Sequence, residues 1–275
     1  METVTTVAAL RERILAARAA GKRIGLVPTM GFLHEGHLTL VRKSVAACDV
    51  TVVSIFVNPT QFGENEDLAS YPRDIERDLM LCESAGADLI FMPPVDEVYP
   101  EGFQTYVEPG PLAEPLCGAF RPGHFRGVAT VVAKLFNMVQ PDRAYFGRKD
   151  FQQTVVVRRM VRDLDMPVDV VAVDTVREDD GVAMSSRNAY LGEEERVRSR
   201  CISQGLFAAQ RALDHGERQS GRLADLARGP LSAMDSLQYR ALVAPVTPQS
   251  GKGPIDLPVA IGVAWHTVKT RLIPQ

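Results

Sequence analysis

Short apolar runs alternate with amphipathic stretches along the first two-thirds of the chain. The runs are rich in β-branched residues or end at turn residues, which is typical of buried strands. The stretches between them repeat apolar residues three and four positions apart, which predicts helices. Strands are therefore predicted over 23–27, 49–57, 88–92, 143–146 and 168–173, and helices over 4–15, 36–47, 72–85, 128–139 and 150–163.

This alternation predicts an α/β fold, a Rossmann-like parallel sheet with helices on both faces. Such sheets bind their ligands in the crevice at the carboxyl ends of the strands. We therefore expect the functional residues in the loops after Val27, Val57 and Phe146.

The pattern changes after about Arg187, where charged helical sequence gives way to short apolar runs separated by turn residues. This favours a smaller α+β C-terminal domain, and we place the boundary near Val176, which gives domains of 1–176 and 177–275. In the second domain we predict helices over 193–214 and 223–237, strands over 240–243, 257–263 and 269–272, and a loop over 247–254.

Composition excludes several classes of protein. The formal net charge is −3, so the chain lacks the basic excess that nucleic-acid binding needs. No apolar stretch is long enough to span a bilayer and no secretion signal is evident, so we expect a cytoplasmic protein without a membrane partner. The cysteines are far apart, which argues against a zinc ribbon or dithiol site and favours buried, reduced thiols at Cys48, Cys82, Cys117 and Cys201.

The first candidate motif is the segment 28–37, which follows a predicted strand and opens a helix. A helix start offers free backbone N–H groups and the positive end of the helix dipole, a natural anion site. His34 and His37 share one face of a helical turn, where they can donate hydrogen bonds to a phosphate, and positive charge if protonated. Metal ligation or chance pairing is the alternative, but the zinc-protease spacing is absent. The glycine patterns of a dinucleotide site and of a P-loop are absent too.

Two further motifs follow predicted strands. Asn58 and Gln61 supply neutral donors and acceptors suited to a small hydroxy acid, although without the other motifs a simple Asn-Pro turn is the preferred interpretation. Lys149 is a compact charge suited to a phosphate, and Gln153 lies one helical turn beyond it. Here the alternative is a plain helix start in which Asp150 complements the dipole.

Three remaining segments are weaker indicators. The segment 184–188 combines two serine hydroxyls with a guanidinium, a set that can bind anions but is also typical of a polar loop. We interpret 121–127 as a turn before a helix, and 71–74 as a helix start, in preference to direct catalytic roles.

Together and in this order, these six segments resemble the signatures of the pantothenate synthetase family, within a wider group of nucleotidyl transferases. The resemblance implies an ATP-dependent ligase that joins pantoate to β-alanine through a pantoyl-adenylate intermediate, a step of pantothenate and coenzyme A biosynthesis. It further implies Mg²⁺ arriving with the ATP phosphates, no protein-bound metal, and a homodimer.

The resemblance also implies roles for individual residues. His37 is the proton donor, and His34 and Lys149 are its catalytic partners on the phosphates. Gln61 and Gln153 hold pantoate, Gln61 also meets β-alanine, and Asn58 lies nearby. The ATP site comprises Met30, Gly31, Phe32, Leu33, His34, Glu35, Gly36, His37, Gly147, Arg148, Lys149, Asp150, Val176, Met184, Ser185, Ser186 and Arg187. The second domain, 177–275, would act as a lid that closes this site.

Three positions depart from the family pattern: Phe32, where a small residue is usual, Arg148, where Glu or Gln is usual, and the segment 263–268. Two other functions stay open. One is a nucleotidyl transferase that forms a dinucleotide or a CDP-alcohol, against which the amides of Asn58, Gln61 and Gln153 argue. The other is a non-catalytic nucleotide-binding protein, against which the intact histidines and Lys149 argue.

Overall fold

The computed structural model describes residues 1–64 and 66–229, and the backbone of three later strands, 237–243, 260–266 and 271–272. The strands are β1 Glu2–Val4, β2 Ile24–Thr29, β3 Val50–Ile55, β4 Leu89–Phe91, β5 Arg143–Gly147, β6 Asp169–Val173, β7 Leu237–Val243, β8 Ala260–His266 and β9 Arg271–Leu272. The helices are α1 Val7–Ala19, α2 Glu35–Val45, α3 Ile75–Ser84, α4 Val95–Val98, α5 Cys117–Phe120, α6 His124–Val139, α7 Phe151–Asp163, α8 Glu193–Asp214 and α9 Ser220–Arg228.

The first six strands form one parallel sheet in the order β1-β4-β3-β2-β5-β6. Successive residues of a strand face opposite sides of the sheet. Leu26 accordingly joins a core cluster with Leu10 and Val128, whereas Val27 joins another with Val41 and Cys82. Because α1 and α6 lie on one side and α2 and α3 on the other, the predicted Rossmann-like fold class is confirmed.

The strand order locates the ligand crevice. The chain builds outward from β2 through β3 to β4, and then returns to place β5 on the other side of β2. This reversal leaves a crevice at the carboxyl ends of β2 and β5. Two of the predicted motifs begin where these two strands end, at Thr29 and Gly147.

Several predicted boundaries were wrong. Val4 ends the edge strand β1, which pairs with β4, and Thr6 caps α1 by accepting from the Ala9 amide. The predicted helix over 72–85 begins only at Ile75, because the Asp74 side chain caps it. The predicted helix over 223–237 ends at Arg228, and residue 237 already belongs to β7.

The C-terminal strands β7, β8 and β9 form an antiparallel sheet. The loop predicted over 247–254 lies outside the described residues, and the domain boundary near Val176 remains a prediction. All four cysteines are free thiols, but Cys48 and Cys201 are half-buried, so the prediction of buried thiols holds only for Cys82 and Cys117. Within the described part of the chain, no helix combines the length and apolar character needed to cross a membrane.

Candidate active site

Two adjoining cavities, of about 200 Å³ and about 150 Å³, open at the carboxyl ends of the central strands. Residues from the loops after β2, β3 and β5 line both of them, as the fold predicts. The shared lining residues are Met30, His34, His37, Gln61, Tyr71, Lys149, Asp150 and Gln153. Segments far apart in sequence thus meet at the junction of the two cavities.

Most of the predicted site residues lie at these cavities. Besides the shared set, the first cavity is lined by Gly36, Asn58, Gly147, Val176 and Met184, and the second by Ser185, Ser186 and Arg187. The other predicted ATP-site residues, Gly31, Phe32, Leu33, Glu35 and Arg148, line neither cavity. Leu33 is buried in the core, Glu35 pairs with Arg42, and the exposed Arg148 pairs with Asp174 at 2.9 Å. Their place in the ATP site therefore remains a prediction.

The histidine pair is held by the backbone of its own helix start. His34 is the N-cap of α2, and its Nδ1 accepts a hydrogen bond from the Gly36 amide at 3.1 Å. The Nδ1 of His37 accepts from the His34 amide at 3.3 Å, and the two ring centroids are 4.0 Å apart. A ring nitrogen that accepts an N–H bond carries no proton, so each neutral imidazole is protonated at Nε2. The pair therefore supplies two N–H donors without charge.

The surroundings of the pair reinforce this neutral state. Burial, aided by the neighbouring His37, Lys149 and Arg77, lowers the pKa of His34 to about 2. Burial, aided by Lys149, lowers the pKa of His37 to about 4. The free site thus presents hydrogen-bond donors here, and the positive charge that the sequence left open is absent at neutral pH.

We expect the imidazole ¹H–¹⁵N spectra of His34 and His37 to keep the neutral Nε2–H pattern from about pH 8 down to about pH 5. The unfolded chain, whose histidines have pKa values of about 6.5, binds more protons than the folded chain below that pH. The pair's stability contribution is therefore intact above that pH and falls as pH decreases towards about 4, the pKa of His37. Titration of both rings near their unperturbed pKa would contradict this prediction.

The start of α2 is not the open anion site that the sequence suggested. The Gly31 amide donates to the Thr29 hydroxyl at 3.2 Å, and the Phe32 and Leu33 amides donate to Asp78. The His34 and Gly36 amides donate to the two imidazoles, as described above. These N–H groups are occupied by protein acceptors, so phosphate contacts must come largely from side chains.

Asn58 has a positioning role in this geometry. Its side chain is 1% exposed, and its Nδ2 donates to the Gln61 Oε1 at 3.0 Å and to the Gly127 carbonyl at 3.2 Å. Its Oδ1 accepts from the Tyr99 hydroxyl at 2.8 Å. Asn58 also caps the short 3-10 helix Pro59–Gln61, so the turn interpretation is correct as well. Its assignment to substrate binding stays a prediction.

Lys149 and Arg187 bring cationic groups to the cavities. Burial lowers the pKa of Lys149, as does Arg187, while Asp150 opposes the shift. Arg187 makes a two-bond ion pair with Asp67, both bonds at 3.0 Å. The Ser186 hydroxyl donates to the Phe32 carbonyl at 3.0 Å, which ties the late serine segment to the loop after β2.

The second cavity contains residues to which the sequence interpretation gave no site role. The sequence predicts a turn over 121–127 before a helix over 128–139, but α6 already begins at His124, and Arg121 and His124 line this cavity. Arg121 pairs with Glu66, and both Arg121 and His124 contact the Gln61 carbonyl, at 3.2 Å and 2.9 Å. The sequence shows that the segment 121–127 contains glycine, arginine and histidine, but only the fold shows that two of these side chains contact Gln61.

Gly127→Ala is expected to destabilise the protein by about 1–3 kcal/mol, the usual cost of overpacking, and to raise the KM of the substrate that binds beside Gln61. A Cβ at this position would lie 2.3 Å from the Thr60 carbonyl oxygen and 2.7 Å from the Gln61 Cα. Backbone would have to move, taking Asn58 and Gln61 with it. Thermal unfolding and steady-state kinetics measure both effects. The matched control is Gly221→Ala in α9, where a Cβ meets no atom within 4 Å; equal losses in both variants would refute the steric argument.

Comparison with known proteins places this geometry in context. Residues 2–275 match the family described as pantoate-beta-alanine ligase. The chain is 60% identical over 273 residues to pantothenate synthetase 1 of Bradyrhizobium diazoefficiens, covering 99% of this chain and 96% of that protein. The pantothenate synthetase of Thermus thermophilus superposes with a TM-score of 0.91 at 48% identity, covering 100% and 98% of the two chains. The pantoate-beta-alanine ligase of Francisella tularensis, solved with beta-gamma ATP and beta-alanine, superposes with a TM-score of 0.79 at 31% identity, covering 100% and 96%.

Proposed function

Since this chain belongs to the pantoate-beta-alanine ligase family, we propose that its cleft joins pantoate to β-alanine at the expense of ATP. The products are pantothenate, AMP and pyrophosphate, and the intermediate is pantoyl adenylate. One observation carries the proposal: two uncharged imidazole donors, one lysine and two glutamine amides meet where the cavities join. Such a set suits a reaction in which a carboxylate meets a polyphosphate.

In the first half-reaction, a pantoate carboxylate oxygen attacks the α-phosphorus of ATP, and the bond to the bridging oxygen breaks to release pyrophosphate. Negative charge grows on the phosphoryl oxygens and on the leaving group. Donors that are already oriented stabilise such charge without reorganising. The imidazoles of His34 and His37 and the ammonium group of Lys149 fill this role. Gln61 and Gln153 orient pantoate, and the apolar α6 wall, which includes Val131 and Leu135, packs against its methyl groups.

In the second half-reaction, the β-alanine amine attacks the acyl carbon of the mixed anhydride. The bond between that carbon and the phosphate oxygen breaks, AMP leaves, and the amine proton passes to solvent. Holding both reactants in one cleft supplies much of the acceleration. Excluding water protects the anhydride from hydrolysis. The 177–275 region contributes to this enclosure as a lid, a role that the Ser186 bond to the Phe32 carbonyl supports.

Further properties belong to this proposal. Mg²⁺ would arrive with the ATP phosphates, and Asp150, a carboxylate that lines both cavities, would be placed to hold it. When bound, Mg²⁺ neutralises phosphate charge. The family resemblance further supports a cytoplasmic location and a homodimer. Light scattering of the purified chain tests the homodimer.

The decisive experiment measures pyrophosphate, AMP and pantothenate from ATP, Mg²⁺ and pantoate, with and without β-alanine. The proposal expects pyrophosphate in one enzyme equivalent with pantoate alone, and AMP plus pantothenate in multiple turnovers once β-alanine is added. Pyrophosphate without coupling to β-alanine would indicate an adenylating enzyme with another acceptor. ATP binding without turnover would indicate a non-catalytic protein.

A further inference from the structure

The loop between β2 and α2 has an unfavourable backbone conformation. Gly31 has φ 82° and Phe32 has φ 48°, so two consecutive residues are left-handed. Glycine adopts this region freely, but a residue with a bulky side chain does so only at a free-energy cost. Such a conformation persists only where surrounding contacts impose it.

The contacts that impose this conformation are made by the carboxylate of Asp78. One oxygen accepts from the Phe32 amide and the other from the Leu33 amide, both at 2.7 Å. Asp78 is 1% exposed, and a Cβ on Gly31 would lie only 3.0 Å from its Oδ2. The pair of charge-assisted bonds thus fixes two successive peptide planes in a site closed to water.

Asp78 is dispensable for its own helix. It lies in the first turn of α3, where a carboxylate commonly serves the helix start, but that cap is Asp74, whose side chain accepts from the Arg77 amide at 3.2 Å. Arg77 in turn donates to the Leu33 carbonyl at 2.9 Å. The first turn of α3 therefore holds the loop in two ways: Asp78 accepts from the loop's amides, and Arg77 donates to one of its carbonyls.

The held loop leads directly into the catalytic pair. One residue beyond Leu33 is His34, whose backbone N–H binds the His37 ring and whose ring binds the Gly36 amide. A shift of the loop would therefore move both imidazoles together. Asp78 itself lines neither cavity, so it can act on the reaction only through this loop.

We propose that Asp78 is a positioning residue for adenylation, because its carboxylate holds the left-handed loop that aims His34 and His37. The proposal rests on the ligase function above. Since the imidazoles act on the phosphates, loss of Asp78 should slow the ATP-dependent half-reaction, whereas transfer from preformed pantoyl adenylate to β-alanine should keep its rate.

Asp78→Asn is the informative variant because it keeps the shape but turns one acceptor into a donor facing a backbone N–H. We expect the single-turnover rate of pyrophosphate release to fall by about 100-fold, the typical cost of misplacing reacting groups by about 1 Å. The rate with preformed pantoyl adenylate should match that of the unmodified enzyme. Asp74→Asn is the matched control: it makes the same substitution at the cap of the same helix, where asparagine caps about as well as aspartate, and should leave both rates unchanged.

A second variant separates positioning from general destabilisation. Adding Phe32→Gly to Asp78→Asn removes the penalty of the left-handed conformation at residue 32, so part of the lost pyrophosphate-release rate should return. Parallel losses in both half-reactions, no recovery with glycine, or an unchanged adenylation rate in Asp78→Asn would each overturn the proposal. Failure of the ligase proposal would appear separately, as an absence of pantothenate from the unmodified enzyme.

Discussion

Lys149→Met is expected to lower kcat/KM for adenylation by about 10²–10³-fold, the usual effect of removing one preorganised group that faces developing charge. Lys149 lies in the turn after β5 and lines both cavities, so its ammonium group is available wherever the phosphates lie at the junction. Burial lowers its pKa, because the charged form loses contact with solvent. Binding of a polyphosphate restores the missing counter-charge.

Methionine is chosen because it preserves the length and apolar stem of lysine while removing the charge. ATP–pyrophosphate exchange in the presence of pantoate measures the effect on adenylation alone. The control is Lys43→Met, since Lys43 is an exposed cation in the last turn of α2, remote from the histidines in its first turn. An exchange rate in Lys149→Met within threefold of the unmodified enzyme would remove Lys149 from the catalytic set.

The fold could be predicted from sequence because its signals are local. Apolar runs such as 49–57 stand between turn residues, and their alternation with helices specifies a parallel sheet. One error arose where a tertiary contact overrides the local pattern. Val4 fits a helical repeat, yet it pairs with the edge of β4, a partner more than eighty residues away. Helical periodicity alone cannot register such a contact.

The candidate site divides in the same way. The loops of His34, Gln61 and Lys149 follow predicted strands, so the rule that ligands bind at strand ends is enough to predict that these three residues lie together. Asp78 and Arg121 escape this reasoning, because Asp78 lies in a helix and Arg121 beside one, and only the folded chain packs these helices against those loops. Likewise, sequence shows that α2 begins beside two histidines, but not that its first amides are already satisfied.

The hydrogen bond from the His34 amide determines what the His37 ring contributes. In the free enzyme its Nδ1 accepts from the His34 backbone, and burial holds its pKa at about 4. At neutral pH we therefore expect it to act in the proposed reaction as a neutral Nε2–H donor. A donor and a proton-transferring acid make different predictions for substitution, because an amide can donate a hydrogen bond but cannot give up a proton at this pH.

His37→Ala is expected to lower the adenylation rate by about 10²–10³-fold, the cost of removing one oriented donor. His37→Gln places an amide N–H near the position of Nε2 and should recover at least about tenfold of that loss if hydrogen-bond donation is the main contribution. Both variants lose the ring nitrogen that binds the His34 amide, so the comparison isolates the donor from that contact, and thermal unfolding measures the remaining difference in packing. Pre-steady-state pyrophosphate release measures both rates. If glutamine proves no better than alanine, proton transfer by His37 becomes the better account, and bound ATP must then raise the pKa of the ring well above its value in the free enzyme.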